Sequence, residues 1–114
     1  MVIDAAWIRE FPGAITVCDE HGAIVEMNDR SAATYARDGG RALVGSDLRA
    51  CHPDAARAKF EALLASRQAN VYTIVKHGVR KLIYQSPWYR DGRFAGIVEL
   101  SLEIPRELPE FVRD

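Results

Sequence analysis

The chain has 114 residues, of which 48% are hydrophobic and 27% charged, enough for one domain with a single core and unlike the composition of a disordered segment. Fifteen basic residues against sixteen acidic ones give a formal net charge of −1, so no whole-protein field draws it to nucleic acid or to an anionic membrane. The two cysteines, Cys18 and Cys51, stand far apart without a CxxC spacing, which argues against a disulfide framework or a structural zinc site.

At the N-terminus, Met1-Val2-Ile3-Asp4 has neither a basic n-region nor a continuous apolar stretch, and no run approaches the roughly 20 apolar residues of a membrane span. A cytoplasmic protein without membrane contact is expected. Asp4 is placed to cap a short helix over residues 5–11, in which Ile3, Trp7 and Phe11 share one stripe before Pro12-Gly13 ends it. So short a helix is marginal in isolation. Ile3, Trp7 and Phe11 are therefore assigned to docking, with a homodimer surface as the expected use.

Ile15 and Val17 alternate with Thr16 and Cys18, and the chain resumes as Ala23 to Met27 after Glu20-His21-Gly22. This is a hairpin whose glycine supplies the positive φ of a tight turn. Asn28 or Asp29 sits where a helix N-cap belongs, and Gly39-Gly40 stops that helix. A turn over residues 41–44 and a loop through Gly45 follow. Pro53 suits the first position of the longest helix, and Asp54 beside it suits the positive end of the helix dipole. Ala56, Phe60, Leu63 and Leu64 form its apolar stripe, while Arg57, Lys59, Glu61 and Arg67 read as a solvated face.

Val71 to Lys76, the turn His77-Gly78, Val79 to Tyr89, the turn Arg90-Asp91-Gly92 and Phe94 to Ile104 compose a three-strand meander. In its last strand Gly96, Val98, Leu100, Leu102 and Ile104 share one face, and Glu99, Ser101 and Glu103 the other, which is expected to face outward. In the strand before it, Leu82, Tyr84, Ser86 and Trp88 oppose Ile83, Gln85 and Tyr89. Pro87 marks a bulge or an unpaired edge, so alternation alone leaves both sets as candidates for the inner face. The hairpin and the meander are separated by about forty residues of helical sequence. A helical excursion of that length must cross one face of the sheet, and a pocket is the natural product.

Asp19-Glu20-His21-Gly22, Ile24, Asn28, Gly45-Ser46-Asp47-Leu48 and Asp91 to Glu99, in this order and spacing, resemble the landmarks of a PAS domain over residues 14–104. The run from Gly45 into Cys51-His52-Pro53 is similar to a bacterial branch that often accompanies hemerythrin-like domains. The resemblance implies an α+β fold: a five-stranded antiparallel sheet in the order 2-1-5-4-3 with helices on one face. Residues 1–13 are then an N-terminal flank and 105–114 an exit segment. That segment departs from the family's usual Asp-Ile-Thr by carrying Glu103-Ile104-Pro105.

The resemblance also implies a sensory or interaction role. Met27, Tyr35, Cys51, His52, Phe60, Tyr72, Tyr84, Trp88 and Val98 are the candidate lining of a pocket for a small apolar or aromatic molecule. A filled aromatic core is the alternative. Cys51 and His52 carry ligand chemistry for haem or another metal, yet a small buried residue and a helix-capping one explain them as well, and no cofactor is assigned. Asp19, Glu26 and Asp47 are the best candidates for acid–base catalysis, but they form no recognisable constellation, so no enzyme activity is expected. Three functions are expected to compete: a small-molecule sensor, a ligand-free dimerisation module, and a haem or metal sensor. No effector segment follows in the sequence, so output is expected through a partner in trans or within a longer parent chain.

Overall fold

The computed structural model describes residues 5–51 and 54–114. Its strands are β1 (Ala14–Asp19), β2 (Ile24–Met27), β3 (Asn70–Lys76), β4 (Val79–Arg90) and β5 (Arg93–Glu103), and its helices α1 (Asp29–Thr34) and α2 (Asp54–Ser66). The strands form one antiparallel sheet in the order β2-β1-β5-β4-β3. This is the order that the resemblance implies, and it makes the first and last strands central neighbours.

Register fixes the faces. Thr16 opposes Glu99, which opposes Gln85, which opposes Asn70. Cys18 opposes Ile97 in the same alternation. These residues line the inner face, because the helices pack there. Phe60 and Leu63 of α2 share a buried cluster with Cys18, Ile24, Met27, Leu48 and Ile97. Burial of each large side chain contributes roughly 1.5–3 kcal/mol relative to exposure. The six-residue α1 would not persist alone. Asn28 caps it, its Oδ1 accepting from Ser31 N at 3.0 Å, and Ser31 meets Thr16 hydroxyl to hydroxyl at 2.5 Å.

Two expectations are corrected. The alternation in β5 was expected to turn Glu99, Ser101 and Glu103 outward, yet they lie on the side that the helices cover, and Val98, Leu100 and Leu102 lie on the far side. Period-two patterning separates two faces without stating which one a helix will meet. Here the far side is itself apolar and half-buried, with Ile15 and Val17 beside that stripe. The helix expected over residues 5–11 is a single 3-10 turn, Ala6–Ile8. Long-range donors compete for the carbonyls that follow: Arg9 O accepts from Asp29 N at 2.9 Å, and Ile8 O is shared between Asn28 Nδ2 at 3.1 Å and Phe11 N at 3.3 Å.

The turn residues follow expectation. Gly22 has φ 89°, and the carboxylate of Asp19 accepts from the His21 and Ala23 amides at 2.9 and 3.0 Å. The bulge near Pro87 falls between Trp88 and Tyr89. Arg49 ties this end of the sheet to α2. It pairs with Asp47 and Glu61 and donates to His21 O, and the hydrogen bond to Glu61 is the largest of the effects that raise its pKa further above the ordinary arginine value. The face of α2 read as solvated thus carries one structural anchor.

Candidate functional site

Across the inner face runs a chain of polar side chains from three strands and one turn. Asn70 Nδ2 donates to Gln85 Oε1 at 2.9 Å, Gln85 Nε2 to Glu99 Oε2 at 2.7 Å, and the Tyr35 hydroxyl to Glu99 Oε1 at 3.3 Å. Each link follows from register, since Asn70, Gln85 and Glu99 are successive cross-strand partners, and Tyr35 closes α1 above them. A carboxylate held by a phenol and an amide in half-buried surroundings is a preorganised acceptor.

A cleft of about 280 Å³ opens onto it, lined by Thr16, Tyr35, Tyr72, Ile83, Glu99 and Ser101 among others. Tyr72 also lines a neighbouring cleft of about 390 Å³ between α2 and β3, where Asn70 and Leu63 contribute. Burial first, and the charge of Glu99 second, push the Tyr72 phenol above its ordinary pKa. It therefore stays protonated through neutral pH and can donate a hydrogen bond into the cleft. A larger cleft, about 770 Å³, lies elsewhere, against the β4–β5 turn. Of its polar groups, Trp88 Nε1 donates to Cys18 O at 3.0 Å and Asp19 holds the hairpin turn, while Arg90, Asp91 and Arg93 line its rim.

The nine pocket residues named from sequence separate in space. Tyr35 and Tyr72 line the polar cleft. Met27 and Phe60 are in the core, 2% and 4% exposed. Tyr84, Trp88 and Val98 lie on the outer face, where Val98 opposes Ser86 and Tyr84 opposes Leu100. The side chain of Cys51 and all of His52 lie outside the described residues. Among the described residues no group of three or more His, Cys, Asp or Glu is placed to hold a metal, and no helix is long and apolar enough to cross a membrane. Asp19 and Asp47 are occupied as turn and loop acceptors, and Glu26 is exposed on β2.

The residues that sequence reasoning passed over are Asn70, Gln85 and Glu99. A signal existed: Gln85 and Glu99 are uncharacteristically polar for the middle of two long strands that are apolar on either side.

Cys18 supplies a check on the core around the site. It is fully buried, and burial pushes its thiol up from 9.0 to about 11. In the native protein it should resist a thiol reagent at pH 8 and react only as the chain unfolds. The native state binds the proton more tightly than the unfolded one, so stability should fall as pH rises from about 9 to about 11. The loss is on the order of 2 kcal/mol. Rapid modification of Cys18 itself in the folded protein, told apart from Cys51 by peptide mass, or a Cys18→Ala variant with the same alkaline decline, would contradict this placement.

No protein-family model matches the sequence, and no curated protein matches it. Solved structures do. The PAS domain of Bordetella pertussis BvgS aligns with a TM-score of 0.62 at 24% identity, over 87% of this chain and 82% of that one. The Aer2 receptor of Vibrio cholerae, a dual PAS-heme oxygen sensor, aligns with a TM-score of 0.59 at 14% identity, over 82% and 95%. The Vibrio cholerae VqmA dimer aligns with a TM-score of 0.69 at 10% identity, over 89% of this chain and 51% of that one, so this chain spans about half of VqmA.

Proposed function

On the premise of a PAS fold, which these likenesses establish, we propose that the chain is a sensory module that binds a small molecule in the polar cleft and relays its occupancy through the terminal segments. The observation that carries the proposal is Glu99. A carboxylate at the centre of the helix-covered face, oriented by Tyr35 and Gln85 and open to a cleft, presents its remaining acceptor capacity to a donor that enters. The BvgS and Aer2 likenesses favour a sensing role over a catalytic one, and no reaction is proposed.

The relay has a physical route. Ile104 N donates to Arg80 O at 3.0 Å, and Arg80 Nη1 donates to Arg106 O at 2.7 Å. The β3–β4 hairpin thus holds the exit segment, residues 105–114, and the same hairpin walls the cleft. A ligand that favours one position of the hairpin favours one position of the exit. Residues 14–104 would then be the sensing domain and residues 1–13 its flank. Trp7, 64% exposed and edge-to-face with Phe11, stands with the exposed Val71 and Val75 of the outer face as the surface for a homodimer partner. Ile3, assigned to the same surface, lies outside the described residues. A cytoplasmic setting and an effector in trans, or in a longer parent chain, complete the proposal.

Native mass spectrometry of the chain purified from its own source tests it. A discrete added mass that leaves on denaturation, and that is lost in the Glu99→Gln, Tyr35→Phe variant, is the expected result. A bare mass in wild type would transfer the function to the dimer surface alone. A Soret band in the same sample would instead support the haem alternative built on Cys51 and His52.

A further inference from the structure

We infer that the ligand is a small organic anion whose charged end is held by Lys76, Lys81 and Arg37 while a hydroxyl or amine at its other end donates to Glu99. The inference rests on the small-molecule proposal above and adds the ligand's chemistry.

Beside the polar cleft lies another of about 470 Å³, lined by Ala33, Thr34, Ala36, Arg37, Lys76, His77 and Lys81. No carboxylate is among those residues. The two clefts share Thr34, Lys76 and Lys81, so these side chains stand at the boundary between an acceptor-bearing interior and a cationic mouth. The cations come from distant parts of the sequence: Arg37 from the 3-10 turn after α1, Lys76 and Lys81 from the two arms of the β3–β4 hairpin.

Among the described residues none of the three has an ion-pair partner within 4.0 Å, whereas Arg41 and Arg49 are paired. In a chain of net charge −1, gathering unpaired cations around one opening is unfavourable until an anion enters. The opposing charges around the cluster are Asp38 and Glu99, which line the polar cleft with Lys76 and Lys81, and Glu103, the cross-strand partner of Lys81. Among the described residues none of these carboxylates forms an ion pair with the cluster.

Inside, each oxygen of Glu99 accepts one hydrogen bond. A carboxylate oxygen has capacity for a second, so the interior selects a donor. Gln85, the partner of Glu99, and Lys81 are four residues apart on β4, roughly 13 Å of strand. A single small ion does not bridge that span, even allowing for the reach of the lysine side chains, but a molecule with an anionic end and a donor end does. The anion could be carboxylate or phosphate, since both pair with Lys and Arg.

An amide NMR titration of the full chain with malate, glycerol phosphate and neutral glycerol decides it. Saturable shifts at Thr34, Arg37, Lys76 to Lys81 and Glu99 are expected with at least one anion and not with glycerol. Whether malate or glycerol phosphate binds tighter identifies carboxylate or phosphate. Lys76→Ala with Lys81→Ala should weaken that binding at least tenfold, while the charge-keeping Lys76→Arg with Lys81→Arg should retain it, so that loss of fold is not mistaken for loss of charge. Absent shifts, or an unchanged affinity in the alanine pair, would overturn the inference. If a Glu99-dependent mass adduct is nevertheless retained from the source, only the anion assignment falls. If the adduct is missing as well, the small-molecule proposal falls with it.

Discussion

Replacing Gly96 with alanine is expected to cost about 4 kcal/mol or more, the most damaging single substitution in the sheet. Gly96 sits in central strand β5 opposite Asp19 and Trp88. Its φ of 144° lies outside the range that residues with a Cβ adopt. A Cβ built there would stand 1.9 Å from Cys18 O and 2.7 Å from the Asp19 carbonyl carbon. Those neighbours are backbone, so no rotamer change relieves the overlap, and β1 must separate from β5. Separation would also break the contact in which the indole N–H of Trp88 crosses β5 to reach Cys18 O at 3.0 Å, a crossing that a bare glycine permits. Gly92→Ala is the matched control: φ is 79°, but nothing lies within 4 Å of its Cβ, so a strain of only about 1 kcal/mol is expected. Urea denaturation of both variants measures the difference. Equal midpoints would mean that β1 and β5 do not meet in this register.

Much of the architecture can be read before any coordinates. Local chemistry is decisive where one residue type has one physical use: Asn28 before a helix, Gly22 in a tight turn, Gly78 and Gly92 closing the meander. The long helix could be placed from Phe60, Leu63 and Leu64, because three apolar residues at helical spacing bury together or not at all. The first predicted helix failed for a reason that lies outside its own residues. Whether Ile8 and Arg9 carbonyls continue a helix depends on Asn28 and Asp29, some twenty positions away, and propensity carries no information about that competition.

The site was less legible than the fold. Tyr35 and Tyr72 could be named because aromatic residues near a helix-covered face are plausible lining. Alternation leaves the inner set of β4 open, so Tyr84 and Trp88 are candidates only, whereas Val98 is expected inside because the more apolar set of β5 reads as the one that meets the helices. The reverse holds in this sheet, whose outer side is apolar enough to form a surface of its own. Glu99 was set aside as solvent-facing by the same assumption. What identifies it is pairwise: Glu99, Gln85 and Asn70 become a network only when three strands are in register. That register depends on the geometry of two turns and on the irregularity between Trp88 and Tyr89, which a single sequence expresses only weakly. The cationic mouth has the same character, because Arg37 lies about forty residues from Lys76 and Lys81 in sequence.

Asn28 offers the second large effect, and one whose pH dependence distinguishes geometry from mere burial. The side chain is 2% exposed and makes four hydrogen bonds. Its Oδ1 accepts from Ile15 N at 2.9 Å and from Ser31 N at 3.0 Å, and its Nδ2 donates to Gly13 O at 2.8 Å and to Ile8 O at 3.1 Å. It therefore fastens the N-terminal segment, β1 and α1 at one point. Asn28→Ala leaves the Ile15 and Ser31 amides and the Gly13 carbonyl without this partner, takes one of two hydrogen bonds from Ile8 O and removes the helix cap, an expected loss of roughly 3–5 kcal/mol. Asn28→Asp keeps the shape and reverses half of the chemistry, because a carboxylate oxygen replaces the amide nitrogen and faces the Gly13 and Ile8 carbonyl oxygens. Ionisation is disfavoured there, so the folded-state pKa of the new group rises above its unfolded value of about 3.9. The folded variant then binds the proton more tightly than the unfolded chain, and the sign follows: its stability relative to wild type is greatest near pH 4 and declines as pH rises toward 7. Urea denaturation at pH 4 and pH 7 should show the penalty growing by about 2 kcal/mol or more in Asn28→Asp and not at all in Asn28→Ala. A penalty in Asn28→Asp that is the same at both pH values would show that the amide does not face those two carbonyls, and the junction of β1, α1 and the N-terminal segment would have to be built differently.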